Sequence, residues 1–231
     1  MRSRHIIRNF PVLIVEGPDA VGKTTLCRKF QEFAGARYLH LTLRREMHRW
    51  QVAGLLRALA LSQYAPVVID RHWPSEMVYA GVYRNGSKLH DEDRGMDELL
   101  SWLGIPYVFC HLDSVSQMVN AHTMSSGERP EMYQPDDRIR QVCEGYMQWW
   151  YGDDGPWGYD NRLGHCSTIA SQGGMYRRKY AMAWNYKESG PVEQFVQMAI
   201  GRGERALASW RQRMTTVTQP LDALVVERSG L

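Results

Sequence analysis

Residues 12–30 read VLIVEGPDAVGKTTLCRKF, and within them Gly17-Pro18-Asp19-Ala20-Val21-Gly22-Lys23-Thr24-Thr25 completes the pattern G-x-x-x-x-G-K-[ST]. The flanks fit as well as the letters. Val12 to Val15 form an apolar run of the kind a buried parallel strand shows, and Thr24 to Phe33 follow as a helix-compatible run. A strand, a glycine-bearing turn and a helix in that order gather backbone N–H groups around an anion and aim the positive end of the helix at it. Gly17, Asp19, Ala20, Val21, Gly22, Lys23, Thr24 and Thr25 are therefore the candidate triphosphate-binding residues. Lys23 is expected to reach the β- and γ-phosphates, and the Thr24 hydroxyl to bind Mg²⁺.

Downstream, short apolar runs alternate with helical patterns. Arg37 to Leu43, Pro66 to Asp70 and Tyr107 to Leu112 read as strands, and Tyr180 to Tyr186 as a last one. Helical patterns cover Glu46–Leu61, Ser75–Tyr83, Asp91–Leu103, a stretch from Val115, Asp136–Trp150 and Val192 to about Met214. The polar stretch Thr123–Gln134 reads as a connection, and Tyr151–Arg178, interrupted by many glycines, as an irregular insertion. Alternating strands and helices predict an α/β fold with a parallel sheet covered on both faces. In such sheets ligands lie beyond the carboxyl ends of the strands, where Glu16, Asp70 and Asp113 fall. One domain over residues 10–214 is expected, with a tail at 215–231.

The 231 residues suffice for one α/β domain with an insertion, and 44% hydrophobic with 23% charged residues argues against disorder. A net charge of +3 suits polyphosphate ligands but gives no ground by itself for a nucleic-acid partner. Cys27, Cys110, Cys143 and Cys166 form no C-x-x-C pair, so neither a zinc site nor a disulfide framework is expected, and a reducing cytoplasm is the default. The basic start MRSRHIIRNF has no apolar segment of signal-peptide type, and no run approaches about 18 apolar residues, so no membrane span is expected.

A second motif narrows the reading. Asp70-Arg71-His72-Trp73-Pro74-Ser75 follows the third strand, with Tyr79 and Gly81 beyond it. With Glu16-Gly17-x-Asp19-x-x-Gly22-Lys23-Thr24-Thr25, it resembles thymidylate kinase, whose patterns E-G-x-D-x-x-G-K-T-T and D-R-[HY]-x-x-S-x-x-x-Y-x-G both stand here with every spacing kept. Leu112-Asp113, Gly127-Glu128-Arg129-Pro130-Glu131, Val142–Tyr146 and Asn185–Ile200 extend the likeness more loosely over most of residues 10–200.

The resemblance implies a P-loop fold with a five-stranded parallel sheet and a mobile lid near residues 122–135. It implies ATP and Mg²⁺ as cofactors and a small-molecule nucleotide acceptor, dTMP or a related or modified pyrimidine deoxynucleotide. A homodimer, the family's common state, is a possible assembly. Arg71 would grip the acceptor phosphate, with Arg45 or Arg49 as helper, since arginine meets phosphate oxygens bidentately. Asp70 would orient the Mg²⁺ shell, directly or through water, and Asp19 would contact the sugar 3′-hydroxyl. Ser75 and Tyr79 would line the acceptor pocket, and Trp50 could stack on the base. Because Ala20-Val21 leaves the loop interior without an arginine, the catalytic arginine is expected from the lid, as Arg129.

The sequence departs from the family at three places. Ala80 stands where glutamine is usual, the family's stacking phenylalanine has no clear counterpart, and the 151–178 insertion is extra. All three concern the acceptor base or its surroundings. Three other readings remain open: a deoxynucleoside kinase with Glu46 as general base, a kinase acting on a modified base in DNA through Tyr176-Arg177-Arg178-Lys179, and a non-catalytic nucleotide switch.

Overall fold

All five residues of β1 (Val12–Glu16) are buried, as befits a strand covered on both faces. β1 is the middle strand of a five-stranded parallel sheet of order β2-β3-β1-β4-β5 in the computed structural model, which describes residues 8–41, 47–83, 99–128, 136–151, 181–187 and 189–228. β2 (Arg37–His40) and β5 (Met182–Trp184) are the edges, while β3 (Val67–Asp70) and β4 (Tyr107–Cys110) are buried throughout. Among the described residues the longer helices are α1 (Lys23–Ala34), α2 (Met47–Leu61), α3 (Trp73–Tyr83), α4 (Val115–Glu128), α5 (Asp136–Tyr151) and α6 (Val192–Arg228), with a further helical stretch at 99–102. This is the expected α/β architecture, a parallel sheet flanked by helices.

Register sets the level of the site. Val15 pairs with Asp70 across β1 and β3, and His40 pairs with the same Asp70 across β2 and β3. The carboxyl ends of these three strands therefore finish side by side. α1 starts directly beneath them and buries Leu26, Cys27 and Phe30, three- and four-residue spacings that fall on one helical face. α1 packs against α6, and α3 and α4 both pack against α5.

Aromatic packing joins β4 to α5. Phe109 stacks on Trp150 with centroids 4.9 Å apart, and Trp149 meets Tyr107 edge-on at 5.3 Å. Trp73 donates its indole N–H to the Tyr107 hydroxyl at 2.7 Å. Trp73 and Trp149 are thus core residues, not platforms for bases.

Several boundaries differ from those read in the sequence. α3 begins at Trp73, two residues early, because Pro74 needs no N–H partner in a first turn. α4 runs through residues 123–128 of the expected polar connection, and the Thr123 hydroxyl donates back to the Val119 carbonyl at 3.1 Å, within its own helix. The strands at β2, β4 and β5 are shorter than expected. α6 continues past Met214 to Arg228, so residues 215–228 of the expected tail are helical. Thr215, Thr216, Val217 and Thr218 are β-branched and Pro220 lacks an N–H, so local propensity does not announce that continuation. The insertion at 152–178 and the helical pattern at 91–98 lie outside the described residues.

The turn into β4 leans on α6. Gly104 has φ 63°, and a Cβ there would lie 2.5 Å from the Ala206 carbonyl oxygen. Gly104→Ala is expected to cost about 2 kcal/mol or more and to lower the melting temperature by roughly 4–8 °C, with nucleotide affinity unchanged. A melting curve within about a degree of wild type would contradict this contact.

Candidate active site

The loop after β1 is held tightly against the sheet. Gly17 has φ 142°, and a Cβ on it would run into the Cys110 carbonyl oxygen at the end of β4. Ala20 is left-handed at φ 63°, and Gly22, also left-handed, is the N-cap of α1. Lys23 is nearly buried and donates from Nζ to the Pro18 carbonyl, so the side chain folds back along its own loop. Burial first, then the nearby Arg71 cation, pushes the Lys23 pKa below its ordinary value. An incoming polyphosphate would relieve both effects.

Arg71, just after β3, is the second non-glycine residue with positive φ, at 71°. Such a conformation costs on the order of 1–3 kcal/mol and persists only when its surroundings fix it. Here they do. The Arg71 N–H donates to the Val15 carbonyl at 3.0 Å, Nη2 pairs with Asp19, and the guanidinium lies 5.1 Å from the Tyr79 ring centroid. The Tyr79 hydroxyl donates to the other Asp19 oxygen at 2.6 Å. Burial pulls the Asp19 pKa upward, but Arg71 and Lys23, with the Tyr79 hydrogen bond, hold it at about 2. Arg71 Nη1 is buried and makes no hydrogen bond among the described residues.

Thr24 and Asp70 also meet as expected for a metal position. Thr24 Oγ1 donates to Asp70 Oδ2 at 3.2 Å, and Asp70 Oδ1 is buried without a hydrogen-bond partner among the described residues. A buried carboxylate oxygen with nothing to accept is out of keeping with a finished interior. A hydroxyl beside such a carboxylate is an all-oxygen donor set of the kind Mg²⁺ takes. The residues present therefore fit the cation.

Ser75 is brought to a different neighbour. Its hydroxyl donates to Glu16 Oε2 at 2.7 Å and lies 2.6 Å from the Tyr146 hydroxyl, which reaches the same carboxylate oxygen at 3.2 Å. The His72 N–H donates to the other oxygen, Oε1. Sequence reading marked Glu16 as a motif letter and a strand-end acid without assigning it partners, and gave Tyr146 no role. Trp50 is half-buried on α2. Arg45, Glu46, Arg129 and the side chain of Arg49 lie outside the described residues.

Tyr186 was also missed. Asn185 donates from its side chain to Asp113, which ties the turn after β5 to the end of β4. Tyr186, 49% exposed, thereby sits with Cδ1 3.8 Å from where a Gly22 Cβ would be. An aromatic residue directly after the last strand was the available signal.

No family model matches the sequence, and no curated protein matches it either. Solved structures do match the fold. YorR from Bacillus subtilis, crystallised in complex with phosphorylated GDP, aligns with a TM-score of 0.56 at 17% identity, over 84% of this chain and 95% of that one. The likeness is one of fold, an α/β architecture with a parallel sheet flanked by helices. A gluconokinase from Sinorhizobium meliloti 1021 aligns with a TM-score of 0.41 at 16% identity, over 90% of this chain and 99% of that one. A shikimate kinase from Acinetobacter baumannii in complex with shikimate aligns at 0.37 and 14%, over 83% and 91%. No helix among the described residues is long and apolar enough to cross a membrane.

Glu16 yields a test of the site's electrostatics. Burial raises its carboxyl from 4.5 to about 7, against hydrogen bonds from Ser75 and His72 and the charges of Arg71 and Lys23. Between those two values the native state holds a proton that the unfolded chain has released. The associated stability is complete below the unfolded value and is lost as pH rises through about 7. Wild type should lose on the order of 3 kcal/mol from this group between about pH 5 and pH 8, and Glu16→Gln should lack that slope. Denaturant unfolding at the two pH values checks it, and parallel slopes for both proteins would remove Glu16 as the cause.

Proposed function

We propose that this chain is an ATP- and Mg²⁺-dependent (deoxy)nucleoside monophosphate kinase, acting on dTMP or a related or modified pyrimidine deoxynucleotide. The observation that carries the reading is the cluster Asp19–Arg71–Tyr79, set beside Lys23 and the Thr24–Asp70 pair at neighbouring strand ends. A hydroxyl acceptor needs a general base, whereas a phosphate acceptor is already anionic at neutral pH and needs cations to hold two repelling anions in line. Arg71 supplies that cation in a fixed direction.

In the reaction an acceptor phosphate oxygen bonds to the γ-phosphorus of ATP while the bond from that phosphorus to the β–γ bridging oxygen breaks, leaving ADP. Bound Mg²⁺ supplies charge neutralisation at the β- and γ-oxygens. Lys23 exchanges the Pro18 carbonyl for those oxygens, and Thr24 and Asp70 hold the cation's shell. Arg71 turns its unpartnered Nη1 to the acceptor phosphate while Asp19 and Tyr79 keep the guanidinium in place. Arg45 or Arg49 assists there, Ser75 supports the wall through Glu16, and Trp50 borders the base. Arg129 brings the remaining positive charge from the lid. Tyr186, beside the loop, offers a face to the base of ATP. The YorR structure, a complex with phosphorylated GDP, supports a nucleotide ligand without specifying the acceptor here.

The test is ADP release with ATP·Mg²⁺ against a panel of nucleosides, nucleoside monophosphates and oligonucleotides. Turnover is expected with monophosphates only, and none with Lys23→Ala. Arg71→Ala should lower kcat/KM for the acceptor by about 10²–10³-fold. Arg129→Ala should lower kcat by roughly 10³–10⁵-fold while ATP affinity is kept. Turnover of bare nucleosides that is lost in Glu46→Ala would replace this reading with a nucleoside kinase. Turnover of oligonucleotides alone would make it a DNA-base kinase, and ATP binding without turnover on any acceptor would make it a switch.

A further inference from the structure

The edge strand β2 adds two side chains to the phosphate side of the site, and neither belongs to the motifs. Tyr38 donates its hydroxyl to Asp70 Oδ2 at 2.9 Å, and His40 Nδ1 lies 3.3 Å from the same oxygen. Thr24 Oγ1 stands 3.2 Å from that oxygen as well. Parallel pairing sets His40 directly beside Asp70, so the approach is built into the register. The His40 side chain is 42% exposed, whereas that of Asp70 is 1% exposed.

These separations have the size of a coordination polyhedron. In an octahedral shell with metal–ligand bonds of about 2.1–2.2 Å, adjacent ligand atoms lie about 3.0–3.1 Å apart. The Thr24–Asp70 and Asp70–His40 separations, 3.2 and 3.3 Å, are close to two edges of such a shell meeting at Asp70 Oδ2. The other oxygen of the same carboxylate, Oδ1, is buried without a hydrogen-bond partner among the described residues, an independent sign that protein groups alone do not satisfy this carboxylate.

We propose that His40 places an imidazole nitrogen in the coordination shell of the divalent cation held by Thr24 and Asp70. The proposal rests on the triphosphate-site reading and adds to it a mixed nitrogen–oxygen donor set. Mg²⁺ takes oxygen and water, whereas imidazole favours the later first-row ions. The site should accordingly hold Mn²⁺ or Co²⁺ in preference to Mg²⁺ by more than an all-oxygen site would.

Pulsed EPR of Mn²⁺ bound to the full chain with inorganic tripolyphosphate, which contains no nitrogen, reads the donor directly. A ¹⁴N coupling of directly coordinated imidazole is expected in wild type. It should be absent in His40→Ala, whose Mn²⁺ affinity should fall on the order of tenfold or more, with a smaller change for Mg²⁺. Labelling the histidines with ¹⁵N should convert the pattern without any substitution, so the result does not hinge on the variant's folding. Mn²⁺ and tripolyphosphate bound together without nitrogen coupling, or with coupling that persists in His40→Ala, would overturn the proposal and leave the kinase reading standing. Failure of wild type to bind either probe would bring down both.

Discussion

The carboxylate of Glu16 ties two separate parts of the chain, the start of α3 and the helix α5, to the tip of β1. One oxygen takes the His72 N–H, the other takes Ser75 and Tyr146, and all four groups are buried. Arg71 lies between the Val15 carbonyl, which holds its own N–H, and His72, which Glu16 holds. The left-handed turn at Arg71 is therefore clamped on both sides, and its direction follows from the clamp. Burying a carboxyl without a full counter-charge is costly, as its pKa of about 7 registers. The return on that cost is an arginine aimed where flexible surface arginines do not stay.

Charge balance explains why Arg71 can be largely withdrawn from water before any substrate arrives. Asp19 stands as its partner and is ionised at every pH above about 2. Removing one member of the pair would leave the other partly desolvated charge without its counter-charge. Lys23 makes no direct ion pair among the described residues and donates instead to a loop carbonyl. One cation is thus fixed and compensated, and the other is poised for exchange. That asymmetry matches an acceptor that must be positioned and a donor triphosphate that must be admitted.

The loop and the central strands were legible because each depends on residues close together in sequence: the glycines of 17–22, the apolar runs at Val12–Val15 and Val67–Ile69, and the acids that end them. Pairs joined by topology were not. Tyr146 stands 130 positions from Glu16, and nothing local in Val142–Tyr146 announces a hydroxyl directed at β1. Ser75 was placed in the acceptor pocket by its motif spacing, yet its hydroxyl serves the clamp. The helical extensions at 123–128 and 215–228 were missed for another reason. Both begin in serine- or threonine-rich stretches whose intrinsic preference is weak, and a helix already under way carries through them.

β2 shows how an edge strand can shape a site without carrying a motif. A parallel neighbour of β3 presents alternate side chains to one face, so Tyr38 and His40 both arrive at Asp70 while Leu39 turns to the core. The cluster of Asp19, Arg71 and Tyr79 draws on the loop, the turn after β3 and α3 instead. Substitutions on β2 can then change the surroundings of Asp70 while leaving the Arg71 clamp intact, and changes on α3 can do the reverse. Asp70 and Arg71, adjacent in the chain, divide the two tasks at a single turn.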